Sequence, residues 1–200
     1  MLKKKLGLEA IEKDNIIEAE EFTTSHFKIP PSLIIPDGCK KVGYRVFWGC
    51  ARLKKVEIPG SVKVICDEAF YWCSIEELTI SEGVEKIWGS AFAINYIKEL
   101  VIPGSVETIG DNAFAHNYLE KVVISEGCKE IMDYAFAGCE RLKEVEIPSS
   151  VSIIRGNAFG GCSDAVVVIN RSPDEEDLFI SSNAFEDCMN VKYAKEKTRN

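Results

Sequence analysis

The chain has few histidines, no long apolar run and little clustered basic charge, and each of these absences excludes a class of function. The two histidines, His26 and His116, stand far apart, with no serine, cysteine or carboxylate at a catalytic spacing. There is no glycine-rich phosphate loop, no CxxC pair and no HExxH, so we expect no enzyme, no metal site and no cofactor. No apolar stretch approaches the roughly 18 residues of a membrane span. The start, MLKKKLGLEAIEKDN, lacks the apolar core and cleavage site of a secretory signal. As written the protein is expected in the cytoplasm, or at the cell surface if it is a fragment of a longer exported chain. Lys3-Lys4-Lys5 is the only basic cluster, and the formal net charge is −8. Nucleic-acid binding needs clustered cations to displace counterions, so it is not expected.

What is present is a repeat. Phe47, Phe70, Phe92, Phe114, Phe136, Phe159 and Phe185 are spaced 23, 22, 22, 22, 23 and 26 residues apart. Val46 precedes the first and an alanine each of the others, from Ala69 to Ala184. Four residues before that small residue comes an aliphatic, Val42, Ile65, Ile87, Ile109, Ile131, Ile154 or Ile180. Further back lie apolar alternations such as Leu100-Val101-Ile102 and Val145-Glu146-Ile147, a period of two that marks short strands. IPDG, IPGS, ISEG and IPSS end these strands, because proline lacks the ladder donor and glycine and serine suit turns. Asp67, Asp111, Asp133 and Ser182 stand two residues before the alanine, where short polar side chains cap a first helical turn. The Ala-Phe segment is therefore expected to be one turn of 3₁₀- or α-helix.

One such unit cannot bury its apolar columns alone, whereas stacked units make a continuous core. The expected fold is an α/β-type repeat solenoid with about one strand per repeat, seven strands in one sheet, and short helical turns on the opposite side. Residues 1–31 are read as an N-terminal cap, with a short helix over Leu6 to Lys13 and a decayed repeat at Ile17 and Phe22. Residues 32–193 are read as about seven repeats, and 194–200 as a polar tail. The eight cysteines all occupy repeat positions, five of them (Cys50, Cys73, Cys139, Cys162 and Cys188) three residues after the ring. They are expected to be reduced core thiols, with a Cys50–Cys73 bridge the lesser possibility.

These columns resemble the BspA-like, or treponemal-type, leucine-rich repeat family, whose unit reads roughly LxxIxIPxSVxxIGxxAFxxCxxL. Leu100 to Leu119 matches nearly every position, with Asn117 where the family often has cysteine. The resemblance implies a right-handed leucine-rich-repeat coil with a parallel concave sheet, in a family found largely in cell-surface and adhesion-type proteins that bind macromolecules. It implies no catalytic residues. The chain departs from the pattern at the acidic insertion NRSPDEED, residues 170–177, and in lacking an export signal.

Two candidate surfaces follow. On the concave sheet, outward positions form one stripe of Lys55, Glu77, Glu99, Lys121 and Glu144. The next stripe runs Ile34, Glu57, Thr79, Val101, Val123, Glu146 and Ile169. Val101 and Val123 beside Thr79 make an apolar patch rimmed by charge, as interaction surfaces do. The second surface is an aromatic edge just after the ring column, with Trp48, Tyr71, Trp72 and His116, joined by Ile94 and by Trp88 in a separate column. Those residues pack under the N-terminal cap, join two copies in a homodimer, or hold a ligand. The expected function is a non-catalytic scaffold for a protein partner of unknown identity. The alternative is a structural or adhesive segment of a larger surface protein that binds host matrix or glycan.

Overall fold

Short apolar alternations stopped by proline or glycine can pair only with the equivalent residues one repeat further on, and the chain accordingly winds into stacked coils. The structure is a computed structural model that describes residues 10–13, 16–19 and 29–194. Strands β1 (Ala10–Lys13) and β2 (Ile16–Ala19) form an antiparallel hairpin. Each coil then supplies a long strand and a two-residue strand. They are β3 (Ser32–Ile34) and β4 (Lys41–Val42), β5 (Lys55–Ile58) and β6 (Val64–Ile65), β7 (Glu77–Ile80) and β8 (Lys86–Ile87), and β9 (Glu99–Ile102) and β10 (Thr108–Ile109). They continue with β11 (Lys121–Ile124) and β12 (Glu130–Ile131), β13 (Glu144–Ile147) and β14 (Ile153–Ile154), and β15 (Val166–Ile169) and β16 (Phe179–Ile180). A final strand, β17 (Asn190–Tyr193), closes the series. We number the coils 1 to 7 by their ring residues, Phe47 to Phe185.

Two walls result. The short strands and the hairpin make one nine-stranded sheet, β1-β2-β4-β6-β8-β10-β12-β14-β16, parallel except between β1 and β2. Ile17 pairs opposite Val42 in the register of β2 and β4. Because Ala10–Lys13 is a strand, the helix expected over Leu6 to Lys13 does not form there. Phe22, His26 and most of the residues read as the cap lie outside the described residues, as does 195–200 of the tail.

The long strands form the opposite wall, but not one continuous sheet. β3-β5-β7 and β9-β11-β13-β15-β17 are separate, with no rung between β7 and β9. At the following position Ser81, Ser125 and Asn170 each donate an amide to the preceding coil, at 2.9–3.0 Å. Pro103 occupies that place after β9 and has no amide to give. Pro148 after β13 costs only the last rung, since β11 and β13 stay paired from Lys121 to Val123. At the seam Leu78 is half-buried, whereas Val56, Leu100, Val122 and Val145 in its column are buried.

Between the walls lies the core. Rings of adjacent coils stack with centroids 4.8–5.7 Å apart and planes within 23° of parallel along the whole column from Phe47 to Phe185. Stacked parallel rings at this pitch match the spacing of the strands themselves. The backbone beside the rings forms a third ladder, in which the Phe47, Phe70, Phe92 and Phe114 amides each donate to the next coil's alanine carbonyl at 2.8 Å. The expected helical turns are absent among the described residues. Residues two before the ring have positive φ (Arg45, Glu68, Ser90, Asn112, Tyr134, Asn157), and so do residues two after it, from Gly49 to Asp187. A left-handed residue on either side leaves no room for a helical run. The aspartates also work differently from the expected caps. Asp67 and Asp133 accept from the amides of Gly89 and Gly156, and Asp111 from that of Asp133, so each bonds to the next coil.

The turns that end the long strands alternate. In coils 1, 3 and 5 an acid precedes glycine (Asp37-Gly38, Glu82-Gly83, Glu126-Gly127), and the glycines have φ of 90–120°. Coils 2, 4 and 6 have proline, a small residue and serine. The Gly38, Gly83 and Gly127 amides donate to the Ser61, Ser105 and Ser150 hydroxyls of the following coil at 2.7–3.1 Å. In return the Glu82 carboxylate accepts from the amides of Gly104 and Ser105, and that of Glu126 from Ser149 and Ser150. Between doublets, glycine meets glycine. A Cβ on Gly104 would come 2.5 Å from the Glu126 carbonyl oxygen, and one on Gly127 would come 2.0 Å from that of Gly104. The structural unit is therefore a pair of coils.

All eight cysteines are free and seven are buried. Four of the thiols, those of Cys73, Cys139, Cys162 and Cys188, donate to ring-residue carbonyls one coil back, Cys73 to Phe47 at 3.0 Å and Cys162 to Phe136 at 3.3 Å. Asn95 and Asn117 fill the same column in coils 3 and 4. Each donates to two phenylalanine carbonyls and accepts an amide, which satisfies a buried side chain fully. Burial pushes the Cys128 and Cys139 thiols up to about 12, so these are inert packing groups.

Phe114→Ala should cost about 3–5 kcal/mol, as large core truncations do, and hydrogen exchange should show the loss of protection spreading to the coils of Phe92 and Phe136. The amides of Ser149 and Ser150 hold the Glu126 carboxyl below the ordinary 4.5. Its contribution is thus complete above that value and lost as pH falls through the lower folded one. Glu126→Gln should flatten the fall in urea midpoint between about pH 5 and pH 3, and an unchanged pH profile would contradict this role.

Candidate interaction surfaces

Alternation along the long strands fixes which side chains leave the core. The register aligns Ser32, Lys55 and Glu77 across one sheet, and Glu99, Lys121, Glu144, Val166 and Asn190 across the other. One row over, Ile34, Glu57 and Thr79 align, then Val101, Val123, Glu146 and Val168. The stripe read from sequence thus ends on Val168 and not on Ile169, which pairs with Ile147 and is fully buried. All four residues of VVVI are apolar, so alternation alone could not set the phase there.

Val101 is 56% exposed and Val123 41%, although both sit mid-strand between buried neighbours. Thr79 lies across the seam from Val101 and is exposed. The charged residues around them are unequal. Lys55 bridges Glu57 at 3.3 Å and Glu77 at 3.5 Å, and those carboxylates raise its ammonium above the ordinary lysine value. Lys121, between Glu99 and Glu144, makes no ion pair among the described residues. A groove of about 520 Å³ runs beside Val123, lined by Lys121, Lys143, Glu144, Glu146 and Asn170. The long-strand face therefore offers a committed ionic cluster at one end and an open groove with exposed valines at the other.

The aromatic edge forms a second surface. Trp48 stacks on Tyr71 at 6.4 Å and meets Trp72 edge-on at 5.7 Å. Trp72 is 56% exposed, and Ile94 and His116 in the same column are exposed too. Two residues along, Tyr96 and Tyr118 are exposed, with rings 5.3 Å apart. Lys54 lies over Tyr96 and Arg141 over Tyr118. Trp88 stands apart under Lys86. Sequence reading missed both tyrosines, although their spacing of 22 equals the repeat.

The column itself is strained. Trp72, Ile94 and His116 have φ of 53–55°, where coils 1, 5 and 6 use Gly49, Gly138 and Gly161. A β-branched residue in this region is a true outlier, and each non-glycine there costs about 1–3 kcal/mol. Gly138 stays bare because the His116 imidazole lies over it, with Nδ1 2.4 Å from where a Cβ would stand.

Among the described residues no cluster of histidine, cysteine or carboxylate could hold a metal, and no helix is long and apolar enough to cross a membrane. A family profile described as the BspA type leucine rich repeat region matches residues 15–142 and 107–198, in six copies. A leucine-rich repeat protein from Bacteroides ovatus ATCC 8483 is similar at 25% identity and TM-score 0.68, over 88% of this chain and 47% of its own. The pneumococcal vaccine antigen PcpA is similar in fold at 19% identity and TM-score 0.69, over 92% of this chain and 45% of its own. A leucine rich cell surface protein from Faecalibacterium prausnitzii A2-165 shares the fold at 21% identity and TM-score 0.52, over 86% of this chain and 61% of its own. The chain thus spans about half the length of the first two. No curated protein matches the sequence.

Ile94→Gly should relieve left-handed strain while adding glycine's unfolded-state entropy, for a net stabilisation of about 0.5–1 kcal/mol. Urea unfolding would read it as a higher midpoint, and a lower midpoint would show that Ile94 supports the fold.

Proposed function

Because the chain belongs to the BspA-type leucine-rich repeat family, we propose that it is a non-catalytic scaffold holding another protein on its long-strand face. The fold is generally non-enzymatic, and the residues that recur are spent on the core. The observation that carries the reading is the pair Val101 and Val123, exposed mid-strand beside the groove. Exposed apolar residues rimmed by charge are how a partner surface is built. The strands under them are held by rungs on both sides from β9 to β15, apart from the seam edge of β9, so the face is presented in one shape. Lys121, Glu99 and Glu144 set the electrostatic pattern a partner must match, which governs encounter rate and choice more than affinity.

A second reading rests on the Faecalibacterium relative, which is described as a cell surface protein. Under it the coils are a displayed, adhesive segment of a longer chain and meet host matrix or glycan through the same face. The exposed aromatic edge adds a separate contact, suited to self-association of two copies.

Thr79→Arg and Val123→Glu test the scaffold reading, since both change exposed positions and should leave the circular dichroism melt unmoved. Each should reduce retention of the captured partner at least tenfold relative to the unchanged protein. Equal retention by both variants would remove the long-strand face from the function, and unfolding of either would show that the inside and outside of β7 and β11 are misassigned.

A further inference from the structure

Charge on the long-strand face is divided at the seam. In coils 2 and 3 the acids are taken within the chain, Glu57 and Glu77 by Lys55 and Glu76 by Lys54. In coils 4 to 6 Glu99, Glu120, Glu144 and Glu146 are exposed and make no ion pair among the described residues. Three of these four, Glu120, Glu144 and Glu146, line the groove beside Val123. The two lysines of the groove do not balance them. Lys143 is held by Asp164, which leaves Lys121 as a single cation among three carboxylates.

The backbone adds a further acceptor. The Ile102 and Ile147 carbonyls accept the amides of Ser125 and Asn170 in the following coil. Opposite Ile124 that place is held by Pro148, which has no amide, and the register of β11 and β13 stops one residue earlier, at Val123 and Glu146. The Ile124 carbonyl therefore has no ladder donor, and both Ile124 and Pro148 line the groove. A backbone carbonyl without a donor from its own chain is met by water or by a ligand. The groove thus sets three carboxylates and a carbonyl around an apolar side made by Val123 and Pro148.

A site rich in acceptors and short of donors fits a cation with several donors. We propose that this groove takes a basic side chain of the bound protein, an arginine or a lysine, from an extended segment whose apolar residues rest on Val101 and Val123. The proposal rests on the scaffold reading of the long-strand face and gives the chemistry of its partner. Guanidinium suits the groove better than ammonium, because its five donors in a fixed plane can serve one carboxylate with two bonds and still reach a second acceptor. The apolar stem lies along Val123 while the charged head reaches Glu144 and Glu146. A formal net charge of −8 adds attraction at longer range, which speeds the encounter with a basic segment and turns an acidic one away.

In an extended segment alternate residues share a face, so a blocked pentapeptide, Val-Ser-Arg-Ser-Val, carries the required pattern. Titration of the isotope-labelled protein with this peptide, followed by amide shifts, tests the proposal against two controls, Val-Ser-Glu-Ser-Val and the citrulline analogue. The arginine peptide should move the amides of Val123 and Ile124 and bind at least tenfold more tightly than either control, by a margin that shrinks as salt rises. Glu144→Gln combined with Glu146→Gln changes two exposed side chains and should cut that margin at least fivefold with an unchanged circular dichroism melt. Glu57→Gln, at a carboxylate already paired with Lys55, should leave it intact. Equal binding of the three peptides, no shift with any of them, or a preference for arginine that survives the double glutamine variant would each overturn the proposal. A captured partner that Val123→Glu releases and the double glutamine variant retains would overturn it too, while leaving the scaffold reading in place.

Discussion

Every coil depends on its neighbour to hide one phenylalanine ring. A ring from Phe47 to Phe159 is fully buried only because another lies about 5 Å above or below it, and Phe185, with no ring beyond it, is partly exposed. The alanine before every ring but the first has a matching role, since its small side chain lets the adjacent backbone approach closely enough for ring-column amides to reach the next coil's carbonyls. Dispersion between stacked rings and the hydrogen bonds of three ladders thus act along one axis, at one pitch. Stability of such a stack is a sum of coil and neighbour terms, which makes the interior coils the firmest place on which to mount a surface.

Side chains reinforce the axis in a way that gives it a longer period. The acid-glycine turns and the proline-serine turns exchange hydrogen bonds within a doublet, while glycine opposite glycine brings successive doublets into backbone contact. A carboxylate with two amide donors stabilises its own ionised form, so these bonds are strongest at neutral pH and cost no buried charge. The surface ion pairs from coil to coil, such as Lys54 with Glu76 and Lys129 with Glu107, lie mostly in solvent and contribute little by comparison. The seam between β7 and β9 shows what the stack tolerates. One wall loses its rungs where Pro103 removes a donor, yet β8 and β10 remain paired and the rings of Phe92 and Phe114 remain stacked.

Solenoid, ring column, strand phase and thiol column were legible in the sequence because burial acts on side-chain type, and side-chain type is what a sequence displays. The seam was not, since the effect of a missing donor depends on rungs further along the same strand: Pro148 loses one where Pro103 accompanies the loss of all. The phase of β15 was hidden by four successive apolar residues, which fit either face. The sign of φ was hidden for another reason. Gly49, Gly138 and Gly161 signalled a left-handed position after the ring, but Trp72, Ile94 and His116 at the same place concealed the rule they break. Asp67 and its equivalents looked like helix caps because an aspartate near an amide is ambiguous until the coil above it is placed. The alternation of the turns was printed in the chain, yet its meaning lies in bonds between residues some 22 apart.

Residues that break a local rule and are not needed for the core are those in which a repeat protein can differ from its relatives. In this chain they are of two kinds on two faces. Val101 and Val123 expose apolar surface where alternation asks for polar residues, and the edge residues of coils 2 to 4 hold bulky groups in backbone that prefers glycine.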